Sequence, residues 1–122
     1  MKLFKNKWFA KFARKAGITD KKLLQAIREV KAGNVDADYG GGVIKQRIAR
    51  QKEGKSGGYR TIILITKGEK AFFVFGFAKS ELDNIDRSDV RGFKKLAKIM
   101  GALTDDQIES LKEKGEIEEI RP

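Results

Sequence analysis

The chain contains no cysteine and no histidine, and only one proline in 122 residues. Without cysteine there are no disulfides and no thiolate metal ligands, which is compatible with a reducing, intracellular setting. Without histidine the familiar imidazole acid–base pair is excluded, so any proton transfer falls to lysine, a carboxylate or the substrate itself. Long apolar runs are missing too. The longest fall far short of a membrane span, and the first residues lack the apolar core of a signal peptide, so no membrane partner and a cytoplasmic location are expected. With 40% apolar and 36% charged residues the composition is globular rather than disordered. This length suits a single domain with one modest core.

What is abundant is positive charge, and it is unevenly placed. The formal net charge is +10, with 27 Lys and Arg against 17 Asp and Glu. Residues 1–60 hold sixteen of the cations and five of the acids, whereas residues 61–122 hold eleven and twelve. A basic front half with a near-neutral back half suits a protein that holds nucleic acid on one side.

The stretch Gly40–Lys79 organises the reading. Three apolar runs, Val43–Ala49, Tyr59–Thr66 and Ala71–Ala78, are rich in β-branched and aromatic residues and are separated by glycine- and lysine-containing connectors. That pattern predicts an antiparallel meander. Upstream, Phe4, Trp8, Phe9, Phe12, Ala13 and Ala16 recur at helical spacing, and Gly17 ends the pattern. Thr19-Asp20 then opens a second helix carrying Leu23, Leu24, Ile27 and Val30. The aromatics of the first helix are expected in the core rather than as a base-stacking platform. The lysines and arginines of the opposite helix faces either solvate the surface or contact nucleic-acid phosphates. Residues 34–42 read as a polar loop. Asp36 and Asp38 could face the same way, but no third or fourth ligand accompanies them, so a turn is expected and no metal. Downstream, Asp86 or Ser88 caps a helix ending at Gly101, and Thr104-Asp105-Asp106-Gln107 is a capping-box pattern before another. Glu116–Ile120 reads as a short strand. The expected class is therefore α+β: two N-terminal helices packed on a small, mostly antiparallel twisted sheet, followed by C-terminal helices. Residues 1–103 are expected to form the main domain, with 104–122 as an acidic helix/strand extension of it.

Between Gly40 and Lys79 nine cations stand against two acids, Glu53 and Glu69. Lysines on an edge strand can simply discourage aggregation. A run that recurs on successive strands is better explained as a polyanion-binding face. In the second strand, alternation places Arg60 with Ile62 and Leu64, and in the third it places Phe73, Phe75, Phe77 and then Lys79 together. For an RNA substrate the nucleophile is its own 2′-hydroxyl, and preorganised cations neutralise charge as it develops on the phosphorane. The general base is then a lysine depressed by neighbouring cations, with Lys52 and Lys55 the candidates, or a carboxylate such as Glu53, or only RNA and solvent.

The succession GGGVIKQRIAR, GKSGGYRTI and FFVFGFAKSELDNI, with GGYR and FAKSE its most specific pieces, resembles the RelE/HigB-type toxins of bacterial toxin–antitoxin pairs. The resemblance spans roughly residues 1–100. It implies an mRNA endoribonuclease (mRNA interferase) that inhibits translation by cutting messages on the ribosome, without metal or cofactor. It also implies a neutralising, helix-turn-helix antitoxin that binds operator DNA as the complex. On matching positions it implies that Arg47, Arg50, Lys52 and Lys55 bind and orient the scissile phosphate. Arg60 would stabilise the transition state, and Lys79 would complete the clamp. Lys45 and Tyr59 are further RNA-binding candidates. Many relatives place a tyrosine or histidine near the end of the last strand, where this chain has Phe77-Ala78-Lys79-Ser80. A ParE-like toxin acting on gyrase shares the fold, and a plain nucleic-acid-binding module needs the same charges, so both remain alternatives.

Overall fold

The computed structural model describes residues 1–49, 58–67, 69–79 and 84–122. The chain begins with a strand. Lys2–Asn6 forms β1, with Leu3 and Phe4 both buried, one toward each face of the sheet. Asn6 then ends the strand and caps the first helix in one step. Its side-chain oxygen accepts from Phe9 N at 2.7 Å, and its amide donates to Val74 O at 3.2 Å. Helix α1 covers Lys7–Ala16 and stops at Gly17, in the left-handed conformation. Helix α2, Asp20–Lys31, starts at the Thr19 cap. Strands β2 (Ala37–Gly40), β3 (Val43–Ile48), β4 (Tyr59–Thr66) and β5 (Lys70–Ala78) follow. The chain continues with α3 (Arg87–Gly101), α4 (Asp105–Glu113) and β6 (Ile117–Ile120). Both late helices open with capping boxes, Asp86/Asp89 and Thr104/Gln107.

Among the described residues the sheet has six strands in the order β2-β3-β4-β5-β1-β6. Strand β1 runs parallel to β5, and the other pairings are antiparallel. The expectation of two N-terminal helices on a mostly antiparallel meander is therefore corrected: the architecture is α+β, but the sheet is mixed and a strand precedes the helices. The physical reason lies in Phe4. Its spacing to Trp8 extends the helical pattern one turn too far upstream, and five strand residues are too few to display a competing two-residue period. Residues 34–42 are also not all loop, because Ala37–Gly40 pairs with β3.

Helices lie on both faces. Phe9, Ala13, Leu23, Ala26 and Ile27 pack with Ile48, Ile63 and Phe73 on one side. Ala97 and Ile108 pack with Val43, Ile62, Leu64, Phe72 and Phe77 on the other. Ile120 joins the first cluster and Ile117 the second, so the last strand is buried on both faces.

Strand β5 carries an irregularity that the alternation did not predict. Ile62 pairs with Phe75 but Ile63 with Phe73, leaving Val74 as an extra residue. Phe73 therefore turns toward α1 and α2, while Phe75 and Phe77 face the other way, opposite Ile62 and Arg60. Gly76 then lies beneath Phe12, where an added Cβ would sit 2.4 Å from the ring. At the far end of the sheet, Gly42 has φ +83° and a position where a Cβ would meet Ile65 O at 2.3 Å. Only glycine meets both demands.

Candidate nucleic-acid interface

Three cations gather on the α3 face, near the end of the sheet where β3 leaves and β4 enters. Arg47 and Arg60 are direct partners in the β3–β4 ladder, and Lys45 pairs with Ile62 on the same face. Their side chains are held along the sheet: Lys45 is 16% exposed and Arg60 13%. Directly opposite like charges are unfavourable in a sheet. Something must therefore offset them.

Part of the answer is Asp36, which precedes β2. Its Oδ2 lies 3.2 Å from Arg60 Nε and 3.6 Å from Lys45 Nζ. Lys45 Nζ also donates to Asn84 Oδ1 at 3.3 Å, an oxygen that accepts from Ile85 N at 2.9 Å and Tyr39 OH at 3.4 Å. The network thus joins the loop before β2, β3, β4 and the entry to α3. It is incomplete. Arg47 Nε and Arg60 Nη1 are buried and, among the described residues, have no acceptor. The two guanidinium groups share a rung, with Arg60 paired to Asp36 and Lys45 on the same face, and such a cation cluster is suited to an anion.

The backbone beneath this cluster is fixed by Gln46, which is 5% exposed. Its Nε2 donates to Asn34 O at 2.9 Å, its Oε1 accepts from Asp36 N at 3.2 Å, and its own carbonyl accepts from Thr61 Oγ1 at 2.9 Å. Gln46 thereby continues the sheet with a side chain where strand β2 has not yet begun. Asp38 is engaged elsewhere, accepting at Oδ1 from Gly40 N at 2.9 Å. The two carboxylates do not act as a pair.

The other expected site residues are distributed as follows. Lys79 is exposed and follows Ala78, two residues beyond the Phe77 that pairs with Arg60, so it stands at the same end of the sheet. Tyr59 is on the opposite face: it pairs with Ile48, and its ring meets Phe12 edge-on at 5.7 Å within the α1–α2 core. Arg50, Lys52, Lys55 and Glu53 lie outside the described residues. Arg47 also lines, with Lys22, Gln25 and Glu29, a cleft of ≈ 210 Å³ between α2 and the end of β3. Sequence reasoning weighed Asp36 only as half of a metal pair and missed Gln46 and Asn84. The only signal for Asp36 was the clustering of polar residues in 34–38, which reads equally well as a turn.

A family model described as the RelE toxin of the RelE / RelB toxin–antitoxin system matches residues 1–120. The chain belongs to the RelE toxin family. Among curated proteins, none matches it. Toxins of the RelE family are generally endoribonucleases that inhibit translation, and a RelE/RelB system implies a cognate antitoxin. The matched span includes α4 and the strand that follows it. No helix among the described residues is long and apolar enough to cross a membrane.

Proposed function

We propose that this RelE toxin is a ribosome-dependent mRNA endoribonuclease whose scissile phosphate sits between Arg47 and Arg60. The observation that carries the reading is the pairing of Arg47 with Arg60 on one rung of the ladder, with Lys45 on the same face. A phosphodiester brings the anionic oxygens that guanidinium groups bind well. In the reaction the 2′-hydroxyl attacks the adjacent phosphorus while the bond to the 5′-oxygen breaks, giving a 2′,3′-cyclic phosphate and a 5′-hydroxyl. The two arginines neutralise charge on the phosphorane, Lys45 adds field from the same face, and Lys79 closes the clamp from the end of β5. By resemblance, Arg50, Lys52 and Lys55 orient the strand, and Lys52 or Lys55 takes part in proton transfer.

A site with no imidazole has weak acid–base power. Catalysis then depends on a host that holds the message for in-line attack, as the ribosomal A site does, and such positioning is worth orders of magnitude. Residues 1–103 carry this activity in the cytoplasm. Residues 104–122 complete the same domain, a reading supported by the β1–β6 pairing and by burial of Ile108, Ile117 and Ile120. The antitoxin is a helix-turn-helix protein that brings the toxin to operator DNA.

The test is a reconstituted translation reaction in which message 5′ ends are mapped after addition of purified toxin, beside naked message and a gyrase supercoiling assay. Cleavage confined to translated message, lost in Arg47→Ala and Arg60→Ala, is expected. Intact message together with blocked supercoiling overturns the reading in favour of a gyrase poison.

A further inference from the structure

Asp36 is not a cation, lies outside the strands and belongs to no motif of the sequence, yet it makes two of the ion pairs in the site. We infer that Asp36 is a positioning residue: it aims the Arg60 guanidinium at the RNA phosphate while weakening the binding of that phosphate. The inference rests on the reading of the Arg47–Arg60 cluster as a phosphate site.

The geometry supports both halves. A guanidinium is a rigid planar fork, so an ion pair on its Nε side restrains the direction of the remaining N–H groups. Asp36 Oδ2 forms an ion pair with Arg60, 3.2 Å from Nε, and Nη1 is buried with no acceptor among the described residues. The backbone that carries the carboxylate is held, because Gln46 bonds it on both sides of residue 35. The same negative charge, in contact with Arg60 and Lys45, lowers the potential that any incoming phosphate meets. Orientation acts most in the transition state, where charge is greatest; repulsion acts on every bound anion. Removing the carboxylate should therefore move affinity and turnover in opposite directions. A residue that merely anchored the loop would move them together.

Three measurements separate these cases in purified full-length toxin: binding of a 2′-O-methyl RNA oligonucleotide that cannot be cleaved, turnover on ribosome-bound message, and the NMR resonance of the Arg60 Nε–H. Asp36→Ala should bind the oligonucleotide about 3–10-fold more tightly at low salt, with the gain shrinking as salt rises. Its kcat should fall about 10–100-fold, and its Nε–H signal should be lost to exchange. Asp36→Asn removes the charge but keeps an acceptor oxygen. It should bind as tightly as Asp36→Ala while retaining most of the wild-type kcat and the Nε–H signal. If both variants lose affinity and turnover in proportion to their melting temperatures, Asp36 is only a loop anchor and the inference is overturned. If the wild-type toxin neither binds the oligonucleotide nor cuts message, the phosphate-site reading falls, and the inference with it. Wild-type cleavage with no opposed shift in the variants overturns the inference alone.

Discussion

Arg47 and Arg60 face one another across adjacent antiparallel strands, each with a buried N–H that has no acceptor among the described residues. A sheet selected for stability alone would not place two guanidinium groups on one rung. Each unsatisfied buried donor costs about 1–3 kcal/mol, and the like-charge pairing adds to this. Arg47→Met keeps the apolar stem and removes the repulsion. It is expected to raise stability by about 1 kcal/mol in urea unfolding while weakening binding of the non-cleavable oligonucleotide. A fall in stability would mean that the arginine pair is compensated within the fold itself.

The clamp is expected to behave as a unit. Arg60→Ala with Lys79→Ala should reduce turnover on translated message by about 10²–10³-fold or more, the scale of removing one preorganised donor from a charge-stabilising site. Circular dichroism should show the fold intact, since Lys79 is exposed and Arg60 lies near the start of β4, outside both apolar clusters. Turnover close to wild type would place the reacting phosphate elsewhere.

Gly76 offers a test of the packing that carries the site. Its missing Cβ makes room for the Phe12 ring, which would otherwise be only 2.4 Å away. Gly76→Ala should destabilise by about 1–3 kcal/mol through overpacking. Pairing it with Phe12→Leu should recover part of the loss, and a purely additive pair would show that the ring has room to move away.

The central strands were legible because their information is local. Tyr59–Thr66 is the same span in sequence and structure, and the capping signals at Asp86 and Thr104 open helices where expected. The rest of the sheet depends on distant partners. Lys2–Asn6 is a strand because β5 and β6 pair with its two edges, and nothing within those five residues announces that. The basic residues of the site could be read from charge density alone. Asp36 could not, since a carboxylate in a polar loop acquires meaning only when β3 and β4 bring Lys45 and Arg60 to it.

The clasp between α4 and β6 has a defined pH dependence. Lys112 Nζ lies 2.8 Å from Glu119 and 3.1 Å from Glu109, and these bonds, chiefly the first, raise the lysine above its ordinary range. The Lys112 ammonium in turn holds the Glu119 carboxyl below its usual range. A lowered carboxylate stabilises above its unfolded pKa and loses that effect as pH falls through its folded value. A raised lysine stabilises below its unfolded pKa and loses that effect as pH rises through its folded value. Lys112→Met should therefore lower the melting temperature slightly at neutral pH. The deficit should close both in acid, once Glu119 is protonated, and in strong alkali. It should also shrink with salt, because the groups are near the surface. A deficit independent of pH would point to lost packing of the lysine stem instead.

Strand β1 occupies a position between β5 and β6, so residue 3 pairs with residue 120 on one side and residue 71 on the other. Pairing across such separations is slow to form, because the chain must close its longest loop before the contact rewards it. During synthesis β1 is therefore expected to keep one edge bare until β6 is free to pair with it. A nascent toxin halted before Ile117 should remain protease-sensitive and unable to arrest growth, so that an interrupted translation event leaves an inert fragment instead of a poison.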